Sequence, residues 1–252
     1  MVKLSICIDQ VAILRNIANR GEPDPMTTAI ISQVSGADAI TVSWLSNAEI
    51  YIGNELDSIR RLVHTHLNLI TTPDLERLQS ILTMSPDMVT LVPVGYTPQT
   101  LSDKWSETSW PEDDLLEKPI ERMVKELQEN KILTNILIRP EVIQVRQCSE
   151  LRMDYVHIDV SSYIHEHHPE EKKRVIDEIS SATKMSARLN MGVSIGRGVD
   201  YRTLADLLTI PEIEEVVVGY PVAVRAMTIG YERAVRDMVD IIRHVPRKIS
   251  NW

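Results

Sequence analysis

Phenylalanine is missing from these 252 residues, and aromatic side chains make up only 4%. Cysteine is nearly as scarce. Cys7 and Cys148 are too few for a disulfide framework and form no CxxC pair, so a reducing compartment is the expected setting. Basic residues are outnumbered, 27 Lys and Arg against 36 Asp and Glu, for a net charge of −9. That balance argues against a nucleic-acid surface, which would need a clustered basic face. No apolar run approaches the ~20 residues of a spanning helix, which excludes a membrane helix. The first residues, MVKLSICIDQ, enter strand-like sequence without a charged-then-apolar leader, so a cytoplasmic protein is expected. Low-complexity stretches and linkers are also lacking, so residues 1–252 are read as one domain.

What is present is alternation. Short β-branched runs fall at 4–8, 38–43, 67–71, 88–92, 132–138, 155–159, 191–195 and 215–219. Helical patterns lie between and after them, at 25–36, 55–65, 73–84, 115–130, 140–151, 169–190, 201–210 and 222–245. Pro25, Pro73 and Pro140 mark helix starts. Eight strand–helix units predict a (β/α)₈ TIM barrel, with strands too apolar to have a wet face. In such a barrel, chemistry sits at the carboxyl ends of the strands, and phosphates are often held after strands seven and eight. Gly196, Gly198 and Gly219 fall at those two places. Backbone N–H groups with no Cβ in the way make an anion cradle there, although a glycine after a strand is also an ordinary turn.

The stretch ICIDQVAILRN, then PDP at 23–25, GADAITV at 36–42, NLI at 68–70, LVP at 91–93, GRG at 196–198, IPEI at 210–213 and VGYPVAVRAM at 218–227 together resemble the pyridoxine 5′-phosphate synthase family of vitamin B6 biosynthesis. The similarity runs nearly end to end and breaks in loops such as 94–114. It implies a (β/α)₈ barrel with extra helices that assembles into homo-oligomers. It also implies a condensation of 1-deoxyxylulose 5-phosphate with 3-amino-2-oxopropyl phosphate, without metal or redox cofactor.

Most of the family's proton-transfer positions are substituted here. The first-strand motif N-x-D-H reads Cys7, Asp9 and Gln10. The second strand's histidine and arginine read Ser43 and Leu45. The third strand's glutamate reads Ile70, the sixth strand's glutamate reads His157, the histidine between two glycines reads Arg197, and the final Gly-His reads Gly219-Tyr220. Each proton-transfer group typically contributes ~10²–10⁴-fold, and neither isoleucine nor a guanidinium substitutes for one. The expected function is therefore a repurposed enzyme acting on a small phosphorylated or anionic molecule. A non-catalytic binding or regulatory homologue, and retention of the parent synthase activity, stand as alternatives.

The residues left to do chemistry are His157, Asp9 and Asp159. Tyr155, His157 and Asp159 share one strand face, and an aspartate neighbour is expected to raise the imidazole pKa. Gly196, Arg197, Gly198, Gly219, Tyr220, Ser43, Arg20 and Arg139 are the candidate substrate and phosphate ligands. Arg139 is equally readable as a surface charge at a helix start, and His157 as a satisfied core group. Asp24, Arg15 and Asn16 match the family but also suit a role in fixing the first loop. The segment YIHEHHPEE at 163–171 has no closed metal-ligand spacing and reads as a solvated loop, with one histidine reaching the pocket. Residues 94–114 read as a lid or interface loop, in which Trp105 and Trp110 cap a flat ligand or pack between subunits.

Overall fold

Along each strand, every second side chain is apolar and buried. Leu4 and Ile6, Ile40 and Val42, Leu67 and Leu69, Val89 and Leu91 are followed by Ile136 and Ile138, Val156 and Ile158, Val193 and Ile195, Val216 and Val218. In the computed structural model, which describes residues 1–46, 48–98, 110, 115 and 118–245, these positions face the surrounding helices. The strands are β1 (Lys3–Cys7), β2 (Ala39–Trp44), β3 (His66–Thr71), β4 (Met88–Leu91), β5 (Leu133–Ile138), β6 (Tyr155–Asp159), β7 (Gly192–Gly196) and β8 (Glu215–Val218). They pair in parallel, each with its neighbours in sequence, and β8 closes on β1 through Lys3–Glu215 to Ile6–Val218. The fold is a single (β/α)₈ barrel.

The alternate positions carry a second pattern that alternation alone does not reveal. Ser5, Thr41, Asn68, Thr90, Asn135, His157, Ser194 and Glu215 are all buried and polar. Asn135 Nδ2 donates to Ser194 Oγ at 3.0 Å, from β5 across to β7, which only an inward-facing pair can do. The Oγ atoms of Ser5 and Thr41 meet at 2.7 Å, and Thr90 donates to Asn68 Oδ1 at 2.8 Å. The lumen is therefore cross-linked by hydrogen bonds between inward polar side chains, alongside aliphatic neighbours such as Ile70 and Leu137.

The helices are α1 (Asp9–Ala18), α2 (Pro25–Val34), α3 (Glu55–Leu62), α4 (Leu75–Met84), α5 (Lys118–Glu129), α6 (Val142–Glu150), α7 (Ser161–His165), α8 (Pro169–Arg188), α9 (Leu204–Leu207), α10 (Tyr220–Ile229) and α11 (Tyr231–His244). Three depart from the sequence reading. Helix α1 has no counterpart there, because Arg15, on its buried face and ion-paired with Glu55, masks the apolar period. The stretch 222–245 is two helices, broken at Gly230, whose φ of 85° ends α10. Residues 163–171 are not all loop, since α7 takes the first of them. Asp24 accepts from the backbone N–H groups of Met26 and Thr27 at 3.0 Å, capping α2 with Pro25 in its first turn. Among the described residues, no helix is long and apolar enough to cross a membrane.

Candidate functional site

At the carboxyl ends of β1, β6, β7 and β8 lies a cavity of about 630 Å³, within the ~300–1,000 Å³ range of small-molecule sites. Its inner end is formed by Cys7, Gln10, Ile70, His157, Arg197 and Gly219. Of the residues singled out from sequence, His157, Arg197, Gly198, Gly219 and Tyr220 are brought together on its wall.

His157 is buried on the lumen face of β6, with Nδ1 2.8 Å from Ser194 Oγ. Ser194 already accepts from Asn135, so its own proton is free to be donated, to Nδ1 at 2.8 Å or to the Val156 carbonyl at 3.4 Å. Ser194 Oγ also has a lone pair for an Nδ1–H, so both neutral tautomers of the ring fit this contact. Burial, reinforced by the Arg197 charge, pushes the imidazole down to about 3, opposite to the direction expected from its aspartate neighbour. Burial is the larger cause, and the aspartate does not counter it because of where it points. Asp159 Oδ2 lies 2.8 Å from Arg197 Nε, and its Oδ1 accepts from the Ser161 N–H at 2.6 Å. The carboxylate is committed to the guanidinium, and the guanidinium repels protonation of the ring. Even so, burial raises the Asp159 pKa.

Arg197 is held on a second side by the Tyr96 ring, 5.0 Å from its guanidinium carbon. Its φ of 59° is left-handed backbone, which costs a non-glycine residue ~1 kcal/mol or more. The ion pair and the stacked ring are what hold the turn in that shape.

The three glycines answer to close packing. A Cβ on Gly198 would stand 2.7 Å from Ser161 Cα and 2.8 Å from Ser161 N, and one on Gly219 would strike Gln10 Oε1 and lie 2.9 Å from the Cys7 carbonyl. Gly196 lies under the imidazole, where a Cβ would be 2.5 Å from Nε2. Backbone thus comes close to backbone, while Gly198 and Gly219 still present one side to the cavity. Gly198→Ala meets main-chain atoms that cannot rotate away, so it is expected to destabilise the fold by ~1–3 kcal/mol, lowering Tm by several degrees in a thermal melt.

Asp9 and Ser43 form a cluster behind Cys7, which is on the cavity wall. Asp9 accepts from the Ser43 N–H at 2.9 Å, from Ser43 Oγ at 2.5 Å and from the Tyr51 hydroxyl at 2.8 Å. Burial raises the pKa of Asp9 and raises that of Cys7 well above the ordinary thiol range. The cluster ties the start of α1 to the end of β2, and neither Asp9 nor Ser43 is on the cavity wall. Arg20 lies apart in a surface hollow with Arg15, Asn19 and Glu22. Arg139 is half-exposed, with Nε 3.3 Å from Glu141 Oε1. Trp110 is buried in its own chain, donating Nε1–H to the Leu137 carbonyl at 2.6 Å. Trp105 and most of 94–114 lie outside the described residues. His165 lines the cavity from α7, and among the described residues no three His, Cys, Asp or Glu side chains converge as a metal site requires.

Sequence reasoning missed Ser194, Tyr51 and Tyr96. Ser194 was within reach, since it stands two residues before Gly196 on the same lumen face. Tyr51 and Tyr96 sit in loops where no period signals them.

Comparison with solved structures supports the fold. KGPDC from Streptococcus mutans superposes with a TM-score of 0.61 at 13% identity, covering 97% of this chain and 99% of that one. Phosphoribosyl anthranilate isomerase from Thermotoga maritima does so at 0.60 and 12%, covering 96% and 99%. Sequence similarity is closer elsewhere. Pyridoxine 5′-phosphate synthase of Pelobacter propionicus is 31% identical over 245 residues, covering 97% of this chain and all of that protein. The Geobacter sulfurreducens protein of the same name is 31% identical over 244 residues, again covering 97% and 100%. The family described as pyridoxal phosphate biosynthesis protein PdxJ matches residues 4–244, nearly the whole barrel. The chain belongs to the PdxJ family.

Proposed function

We propose that the barrel mouth binds one small phosphorylated or otherwise anionic molecule against the turns at Gly198 and Gly219. His157 acts on it as a neutral imidazole, in the tautomer that carries the ring proton on Nε2 and leaves Ser194 to donate to Nδ1. The parent condensation of 1-deoxyxylulose 5-phosphate with 3-amino-2-oxopropyl phosphate is not run here. One observation carries this reading: the ionisable groups at the inner end of the cavity are neutral or already paired. His157 is uncharged, Arg197 is on Asp159, Cys7 is held protonated by burial, and Ile70 occupies the wall where the family resemblance expects a glutamate base. Making a Schiff base and removing protons and water need groups that exchange protons near neutral pH. A neutral imidazole instead polarises a carbonyl or hydroxyl without giving up its proton. The name carried by the relatives supports a phosphorylated ligand in this mouth. Exposed Ile17 on α1 and Met227 on α10 support the homo-oligomer that the resemblance implies.

The test supplies both parent substrates to the full chain and follows pyridoxine 5′-phosphate by mass spectrometry, with calorimetric titration of each substrate alone. Binding of at least one phosphate ester without product formation is the expected result. Turnover at ~1 s⁻¹ or faster, an ordinary enzyme rate, refutes the loss of the parent reaction.

A further inference from the structure

We infer that the ligand of this mouth carries an apolar body of several carbons beside its anionic head, an inference that rests on the reading above for the head alone. The cavity is not confined to the strand ends. It continues outward between α10 and the turn that follows β7, lined by Tyr220, Val224 and Thr228 on one side and Val199 and Tyr201 on the other, with Ile164 of α7 at its edge. Tyr220, Val224 and Thr228 are spaced four apart and therefore lie on one face of α10. At 1.5 Å per residue, that face extends the cavity about 12 Å away from the glycine turns.

This outer slot offers apolar surface and no uncompensated charge among the described residues. Arg225 is ion-paired with Asp237 and stacked on Tyr201, its guanidinium carbon 4.7 Å from the ring centre. Arg202 lies 3.3 Å from Asp200. Val224 and Tyr220 remain 43% and 37% exposed, so apolar area is there to be buried. A bare phosphate sugar would leave this surface wet, whereas an alkyl or aryl group laid along α10 would cover it. The glycine turns hold the head, and the slot selects for what is attached to it.

Calorimetric titration of the full chain with n-alkyl phosphates, methyl through octyl, reads this directly, with the n-alkanols as an uncharged series. Affinity is expected to rise about fourfold per methylene beyond butyl. The rise should be lost in Val224→Asp and in Thr228→Asp, the slope with chain length being the quantity compared. Methyl phosphate binding with a flat wild-type series, or a slope that survives both substitutions, overturns the apolar slot and leaves the phosphate reading standing. Alkanols that show the Val224-sensitive slope while no phosphate binds keep the slot and overturn the anionic head. If neither series binds, both fall.

Discussion

Replacing Asp159 with alanine is expected to destabilise the protein by ~3–5 kcal/mol in urea denaturation at pH 7, with the denaturant slope unchanged. Replacing Arg197 with methionine is expected to cost clearly less. The asymmetry follows from what each survivor can do. Asp159 is only 2% exposed and its pKa is already raised by burial, so without its partner it takes up a proton and becomes a neutral buried group. Arg197, 13% exposed, has no neutral form to retreat to. The alanine variant leaves its guanidinium buried without a carboxylate, in a backbone conformation the pair helped to hold. The double variant should recover much of the loss, giving a coupling energy above ~1 kcal/mol in the cycle. A cost for Asp159→Ala below ~1 kcal/mol would put the pair with exposed surface bridges and remove its role in shaping the β7 turn. The same variant, where it folds, should bind inorganic phosphate more tightly than the wild type, because the cation facing the cavity is no longer neutralised.

That pair also shows where sequence reasoning stopped. The eight strands were legible because alternate apolar residues such as Val193 and Ile195 had to face a helix layer, and the barrel followed from their number. The glycine turns were legible because Gly198 and Gly219 end strands in adjacent units. The pairings among polar residues were not. The spacing of His157 and Asp159 places them on one face, but nothing in it says that the carboxylate turns to Arg197, 38 positions away, rather than to the imidazole. Burial, the larger cause, reversed the expected direction of the His157 shift, and the carboxylate was not placed to oppose it. Asp9 went the same way. Its oxygens are taken by Ser43 and Tyr51, from the end of β2 and the loop beyond it, and by Cys7, so it sits behind the wall as a brace. Arg20 and Arg139 carry charge suited to an anion, but the barrel's geometry sends one to a surface hollow and the other to Glu141.

The lumen pattern sets up the second large effect, a pair of opposite pH dependences from two buried groups. His157 titrates at about 3 in the folded state against an ordinary 6.5. The unfolded chain therefore binds the extra proton between those values, and the contribution of His157 to stability is complete above 6.5 and lost as pH falls toward 3. Glu215 is 3% exposed at the foot of β8, and burial pushes it up to about 7 from an ordinary 4.5, with Asp38 and Glu214 adding to the rise and Lys3 opposing it. Here the folded state binds the extra proton, so its contribution is complete below 4.5 and lost as pH rises toward 7. At 1.36 kcal/mol per unit, each effect amounts to about 3 kcal/mol across the window from 4.5 to 6.5, with opposite sign. In the wild type they offset one another, while Asp9 and Asp159, also raised by burial, add to the Glu215 side. Single substitutions separate them. Relative to wild type, His157→Asn should gain about 3 kcal/mol as pH is lowered from 6.5 to 4.5, and Glu215→Gln should gain about 3 kcal/mol as pH is raised over the same interval. Urea midpoints at half-unit steps of pH give both curves, and curves parallel to the wild type would mean that neither group is held in its neutral form by the fold. The functional consequence rests on the first of the two. An imidazole that stays uncharged from pH 8 down to 4 adds no charge to the site over that range, so His157→Asn should leave the shape of the pH dependence of phosphate-ester binding unchanged.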